Sequence, residues 1–196
     1  KVNFSERSEL AQVVGGAIAR RQDQVILDAL ATASAGSTVA NSVVTSGSAS
    51  ASNLNVGKII KASELLNTKN VPPTDRFMVI HASGLASLLA DERAVSADYA
   101  SLKALTQGGG QIGQFMGFQI IVLGDRSEGG LGKDGSNDRT NFAFHKSALG
   151  CAVGIAPKTE VNYIAEKTSF LVTAMLSMGA VAIDADGICD VTTREA

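Results

Sequence analysis

Apolar residues recur at helical spacing through residues 5–31. Leu10, Val13, Val14, Ala17, Ile18, Val25 and Ala29 fall on one stripe, and Ile26, Leu27 and Leu30 widen it near the end. The pattern predicts one long helix, amphipathic at first and then covered on more than one side. Asn3 stands where a cap would sit, and Glu6 where a capping box places its acid. Gly15 and Gly16 fall mid-helix, each at a cost of about 1 kcal/mol relative to alanine. Either the helix is weak there or another segment approaches closely.

Residues 32–55 lose the periodicity and consist mainly of Ala, Ser, Thr, Gly and Asn, which is linker composition. A second, shorter helix opens at Asn55 or Ser63 and runs through Leu66. Val71-Pro72-Pro73-Thr74-Asp75 is a turn, because proline cannot continue a helix and restricts the residue before it. Arg76 to His81 reads as an apolar strand, Ser83 to Leu89 as a short helix, and Ser96 to Leu105 as another. Gly108-Gly109-Gly110 breaks the chain before an apolar strand from Phe115 to Leu123. Residues 124–140 form a long Gly- and charge-rich loop, a length usually kept for function or mobility. The last third suits strands at Phe142–Phe144, Ala152–Ile155, Val161–Ile164 and Phe170–Ile183. A turn at Asp184–Gly187 then leads to a closing strand, Ile188–Thr192. A helix, a mixed region and then paired strands make the class α+β.

Composition changes the picture in one respect. Of 196 residues 45% are hydrophobic and only 18% charged, where a soluble domain averages roughly 25%. Some surface must therefore be neutral and apolar, which favours an assembling protein. The net charge of -2 and the absence of tryptophan argue against a dedicated nucleic-acid binder. No uncharged apolar run is long enough to span a membrane; the nearest is Phe170–Ile183. Cys151 and Cys189 lack metal-site spacing and read as free, buried thiols.

Candidate chemistry is sparse. Gly108-x-Gly110-x-x-Gly113 has the dinucleotide spacing, but a helix precedes it and a strand follows, the reverse of what that fingerprint needs. It reads as a flexible turn. Asp184, Asp186 and Glu195 stand at the first, third and twelfth places of a calcium loop. However, Cys189 occupies the place that needs glycine, and Ile188 cannot ligate. His81 and His145 are lone histidines at strand ends, too few for a metal site. No cofactor or metal is therefore expected. Asp75-Arg76, Asp91-Glu92-Arg93 and Asp125-Arg126-Ser127-Glu128 are mixed charge clusters, either solvated faces or rim salt bridges between subunits.

Three stretches taken in order resemble the major capsid proteins of tailed bacteriophages, whose shared fold is the Hong Kong 97 type. Ser8 to Leu30, ending Asp23-Gln24-Val25-Ile26-Leu27-Asp28-Ala29-Leu30, is similar to that family's long spine helix. Val71-Pro72-Pro73-Thr74-Asp75-Arg76-Phe77-Met78-Val79-Ile80, Leu88-Leu89 and Gly113-Gln114-Phe115-Met116-Gly117-Phe118-Gln119-Ile120 resemble its axial domain. Phe142-Ala143-Phe144-His145-Lys146-Ser147-Ala148-Leu149-Gly150, continuing to Thr193-Arg194, resembles the end of the axial domain and the closing peripheral strands. The family's N-terminal arm and extended hairpin are not matched, since the helix begins almost at Lys1. No crosslinking residue is carried over.

The resemblance implies a peripheral domain from residues 1–34 and 156–196, made of the spine helix and long β-strands, and an axial domain from 35–155. It implies a structural subunit, not an enzyme. The subunit would form homo-pentamers and homo-hexamers of an icosahedral shell that encloses DNA, assembled in the host cytoplasm and residing in the virion. Scaffolding, portal and decoration proteins are the implied partners. The charged loop would face neighbouring copies through Asp125, Arg126, Glu128, Lys133, Asp134, Asp138 and Arg139. Two alternatives remain: an encapsulin-type cargo shell, and a small-molecule enzyme using the Gly108–Gly113 turn.

Overall fold

The stripe at the front of the chain forms α1 (Phe4–Thr32), 29 residues long. It belongs to a computed structural model that describes residues 4–33, 35–91, 114–125 and 129–195. The expected cap at Asn3, the helix at 96–105 and the glycine turn at 108–113 lie outside those residues. The remaining elements are β1 (Ser37–Val39), α2 (Val56–Thr68), β2 (Arg76–His81), α3 (Ala82–Ala90), β3 (Gln114–Phe115), β4 (Phe118–Leu123), β5 (Asp138–His145), β6 (Leu149–Ile164), β7 (Ser169–Ala182) and β8 (Ile188–Arg194).

Six strands form one mixed sheet in the order β1-β8-β5-β2-β4-β3, and β6 pairs with β7 in a separate hairpin. Side chains alternate across the sheet because the strand period is two. Met78, Ile80, Phe118, Ala143, Cys189 and Val191 point to one face, against Leu54, Ile59, Leu66 and Leu88 from α2, α3 and the segment before them. Phe77, Val79, Phe142, Phe144 and Ile188 point to the other, where the end of α1 brings Leu27 and Leu30. The register places Phe77 opposite Phe144, and their rings stack at 6.0 Å. Leu30 is fully buried, and a side chain of its size contributes about 1.5–3 kcal/mol on leaving water.

Several boundaries differ from the sequence expectation. Residues 32–55 are not only a linker. They include β1, which pairs in parallel with β8 and buries Val39, but three residues are too short to show a period. The segment is then pinned to the start of α2. Asn55 caps the helix by accepting from the Lys58 amide at 3.0 Å, Thr45 Oγ1 accepts from the Gly57 amide, and Asp91 accepts from the Val56 amide. A Cβ on Gly57 would lie 2.8 Å from the Val44 carbonyl oxygen, so glycine is what lets this segment lie against the helix.

The strand read at 115–123 is a tight hairpin that turns on Met116 and Gly117, both at positive φ. The strand read at 142–144 starts four residues earlier, at Asp138, because Asp138–Thr140 pair with Thr192–Arg194. The two short strands read at 152–155 and 161–164 are one strand, β6, with register shifts between Val153 and Lys158. The closing strand expected at Ile188–Thr192 is β8, which runs on to Arg194 and is hydrogen-bonded between β1 and β5 inside the six-stranded sheet, where Cys189 and Val191 bury against α2.

Candidate assembly surface

Among the described residues, the long hairpin leaves a run of apolar side chains uncovered. α1 packs along β7, and Ala182 and Leu149 join the core at the hairpin base. Beyond that base Val153, Ile155, Val161, Leu171, Met175 and Val181 are all more than 40% exposed. Tyr163 and Phe170 pair near the tip, with ring centroids 5.2 Å apart. A two-stranded ribbon is marginal by itself in water, so its length and apolar faces call for a partner surface. Of the two free thiols, Cys189 is buried as expected, but Cys151 is exposed on β6, because it stands on the hairpin rather than in the core.

The charged residues expected at subunit contacts separate into distinct environments. Arg126 and Glu128 lie outside the described residues. Asp134 is exposed and organises its own turn, accepting from the amides of Ser136 and Asp138 at 2.8 Å each. Asp138 is half-buried and receives two bonds from Arg194, at 2.5 and 2.7 Å, and one from Asn41 at 2.9 Å. The Arg194 bonds hold its carboxyl below the usual range.

Arg139 is 1% exposed and lies on β5, not on a loop. Its guanidinium donates to Glu195 at 2.9 and 3.2 Å and to Asp125 at 2.8 Å. Lys133, half-exposed, reaches Glu195 at 2.5 Å. Asp125, Lys133, Asp138 and Arg139 therefore all have partners inside the chain.

Glu195 is the centre of this node. It is 5% exposed and is bonded by Arg139, Lys133 and the Ser83 hydroxyl. Burial pushes its carboxyl up, but those bonds and the Arg139 charge outweigh burial and hold it at about 2. Sequence reasoning met Glu195 only as the end of a failed calcium loop. Among the described residues no group of His, Cys, Asp and Glu could hold a metal ion. The signal that could have found the node was a lone carboxylate just past an apolar strand, beside a strand that carries an inward arginine.

Two buried cations complete the electrostatics. Lys58 is fully buried and donates to the Ser52 carbonyl at 2.6 Å, the Ser52 hydroxyl at 2.8 Å and the Asn53 carbonyl at 2.9 Å. Burial lowers its ammonium to about 8, against the opposing charge of Asp138. Arg76, read from sequence as part of a surface or rim cluster, is buried. It donates to the carbonyls of Pro72 and Val71 and to Asn67 Oδ1, closing the turn after α2. No helix among the described residues is long and apolar enough to cross a membrane.

The arrangement offers a six-stranded sheet, a charged node paired within the chain and an uncovered apolar hairpin. Comparison with solved structures places the fold. The capsid of cyanophage P-SCSP1u is similar with a TM-score of 0.70 and 16% identity, covering 99% of this chain and 68% of that one. The head of Helicobacter pylori bacteriophage KHP40 gives 0.67 and 11%, covering 100% and 70%. A chain from Mycobacterium phage Che8 gives 0.63 and 19%, covering 96% and 63%. This chain thus spans 63%, 68% and 70% of the length of those proteins. No curated protein matches the sequence. The long helix, mixed sheet and return strands are the Hong Kong 97-type capsid fold. Residues 1–195 match the family described as phage capsid protein, and the chain belongs to that family.

Proposed function

We propose that this chain is a major capsid subunit of a tailed phage, whose copies join into the pentamers and hexamers of an icosahedral shell. The observation that carries the reading is the uncovered apolar hairpin laid along α1, on a chain of the phage capsid family. Many modest contacts of this kind close into rings and shells when each copy repeats them. In this reading α1 with β6 and β7 is the peripheral part, and the six-stranded sheet with α2 and α3 is the axial part. The boundary then moves from residue 156 to Leu149, and β8 passes to the axial side. The loop around Lys133 and Asp134 faces neighbouring copies, with Arg126 and Glu128. Asp125 and Arg139 act there through the Glu195 node, and Asp138 through its bonds to Arg194 and Asn41. The shell encloses DNA without sequence preference, assembles in the host cytoplasm with scaffolding, portal and decoration proteins, and resides in the virion. The role is structural rather than enzymatic.

An encapsulin-type shell is the second reading. The encapsulin complex from Synechococcus elongatus is similar with a TM-score of 0.56 and 11% identity, a likeness of fold alone. Portal and terminase genes beside this one would favour the phage; a cargo gene would favour the encapsulin.

Electron microscopy of the full-length product expressed alone tests the proposal. Uniform shells or capsomer rings are expected. The double change Leu171→Lys and Val181→Lys should abolish them while leaving the circular dichroism spectrum unchanged. A strict monomer that turns over a substrate would overturn the reading.

A further inference from the structure

Strands β2 and β5 lead into the same step, His-x-Ser: His81-Ala82-Ser83 and His145-Lys146-Ser147. In both, the ring Nδ1 lies 3.2 Å from the serine amide nitrogen, which can only donate. An N–H donor makes Nδ1 the acceptor, so each neutral ring carries its proton on Nε2. The chain has only these two histidines, and they share one capping geometry.

Their surroundings differ. His145 has Ser147 as its bonding partner and makes no ion pair among the described residues. His81 lies at the Glu195 node. Its Nδ1 is 3.2 Å from Glu195 Oε1, and its Nε2 is 3.6 Å from Asp125 Oδ2. Arg139 contacts both of those acids, and Lys133 contacts Glu195. Two acids against two cations leave the node near zero charge, and a proton on His81 makes it one positive. With the ring neutral, Nδ1 and Glu195 Oε1 are two acceptors facing each other. Ser83 separates them by giving its amide proton to the ring and its hydroxyl proton to the carboxylate.

We infer that His81 is a proton-operated switch of bonding partners. Neutral, its Nδ1 caps α3 through the Ser83 amide. Protonated, Nδ1–H turns to Glu195 and Nε2–H to Asp125, so the cap is released and the end of β2 is tied to the ends of β4 and β8. The acceptors already stand within 3.2 and 3.6 Å, so the exchange needs little movement. His145 loses its cap on protonation and gains no acid, which makes it the internal reference. The inference does not depend on the shell role.

Imidazole and amide NMR on the intact protein, from about pH 8 to about pH 5, tests it across the histidine range. At the upper pH both rings should show an unprotonated Nδ1. On acidification the protection factor of the Ser83 amide should fall at least about tenfold relative to amides later in α3, a loss of about 1.4 kcal/mol of local protection. A solvent-protected Nδ1 proton should appear on His81 and not on His145. His81→Asn keeps an acceptor at the cap but cannot take the proton, so its Ser83 amide should stay protected throughout. Asp125→Asn should weaken the protected ring proton signal without restoring the cap. A protonated Nδ1 on His81 at about pH 8, unchanged Ser83 protection in the wild type, or an equal loss in His81→Asn would each overturn the inference.

Discussion

Replacing Glu195 by glutamine removes the charge at the centre of the node while keeping its size. The carboxyl titrates at about 2 in the folded chain against 4.5 for the free group. That difference corresponds to about 3 kcal/mol of folding stability, since each unit is worth roughly 1.36 kcal/mol. The figure agrees with the cost of breaking a buried ion pair, about 3–5 kcal/mol, because the substitution leaves Arg139 with Asp125 as its remaining acid. The folded value is depressed, so the stabilisation is complete above 4.5 and is lost as pH falls from there towards 2. Urea unfolding of wild type and Glu195→Gln at about pH 7 and at several values below 4.5 measures both parts. The variant should be less stable by about 3 kcal/mol at neutral pH, and the gap should narrow steadily on acidification. A neutral-pH difference below about 0.5 kcal/mol, or a gap that does not change with pH, would refute the electrostatic account of the node.

Two further predictions rest on other buried polar groups. Asp190 stands opposite Phe142 in the sheet row facing α1, and its Oδ1 is buried without a hydrogen bond among the described residues. Burial pushes its carboxyl up, so the charged form costs stability above that titration and the cost disappears in acid. Asp190→Asn should therefore raise Tm near neutral pH, by a gain of about 1 kcal/mol in calorimetry, and the gain should vanish at low pH; a loss at neutral pH would contradict this. Lys58→Met removes three bonds that pin residues 52 and 53. It should cost about 1–3 kcal/mol and open the 41–55 segment to limited proteolysis; an unchanged cleavage pattern would show that the lysine does not hold the segment.

The sequence by itself determined the elements whose pattern is long or sharply bounded. The stripe from Leu10 to Leu30 specified α1 to within a residue or two, and the run from Arg76 to His81 matched β2 at both ends, because apolar periodicity and the Pro72-Pro73 break are local. The order of three family-like stretches also carried the capsid fold. Only the tertiary structure decided which strands pair. β1 is too short to show a period and exists because β8 offers it an edge. β8 belongs to the central sheet because Cys189 and Val191 find α2 there, a contact between residues far apart in the chain. The charged residues show the same limit. Arg139 read as a loop charge for a neighbouring copy, yet it is buried against Glu195, 56 positions away. Sequence shows which residues carry charge, but only the fold decides which of them lose water together. That loss is what turns Glu195, His81 and Arg139 from scattered surface residues into one node.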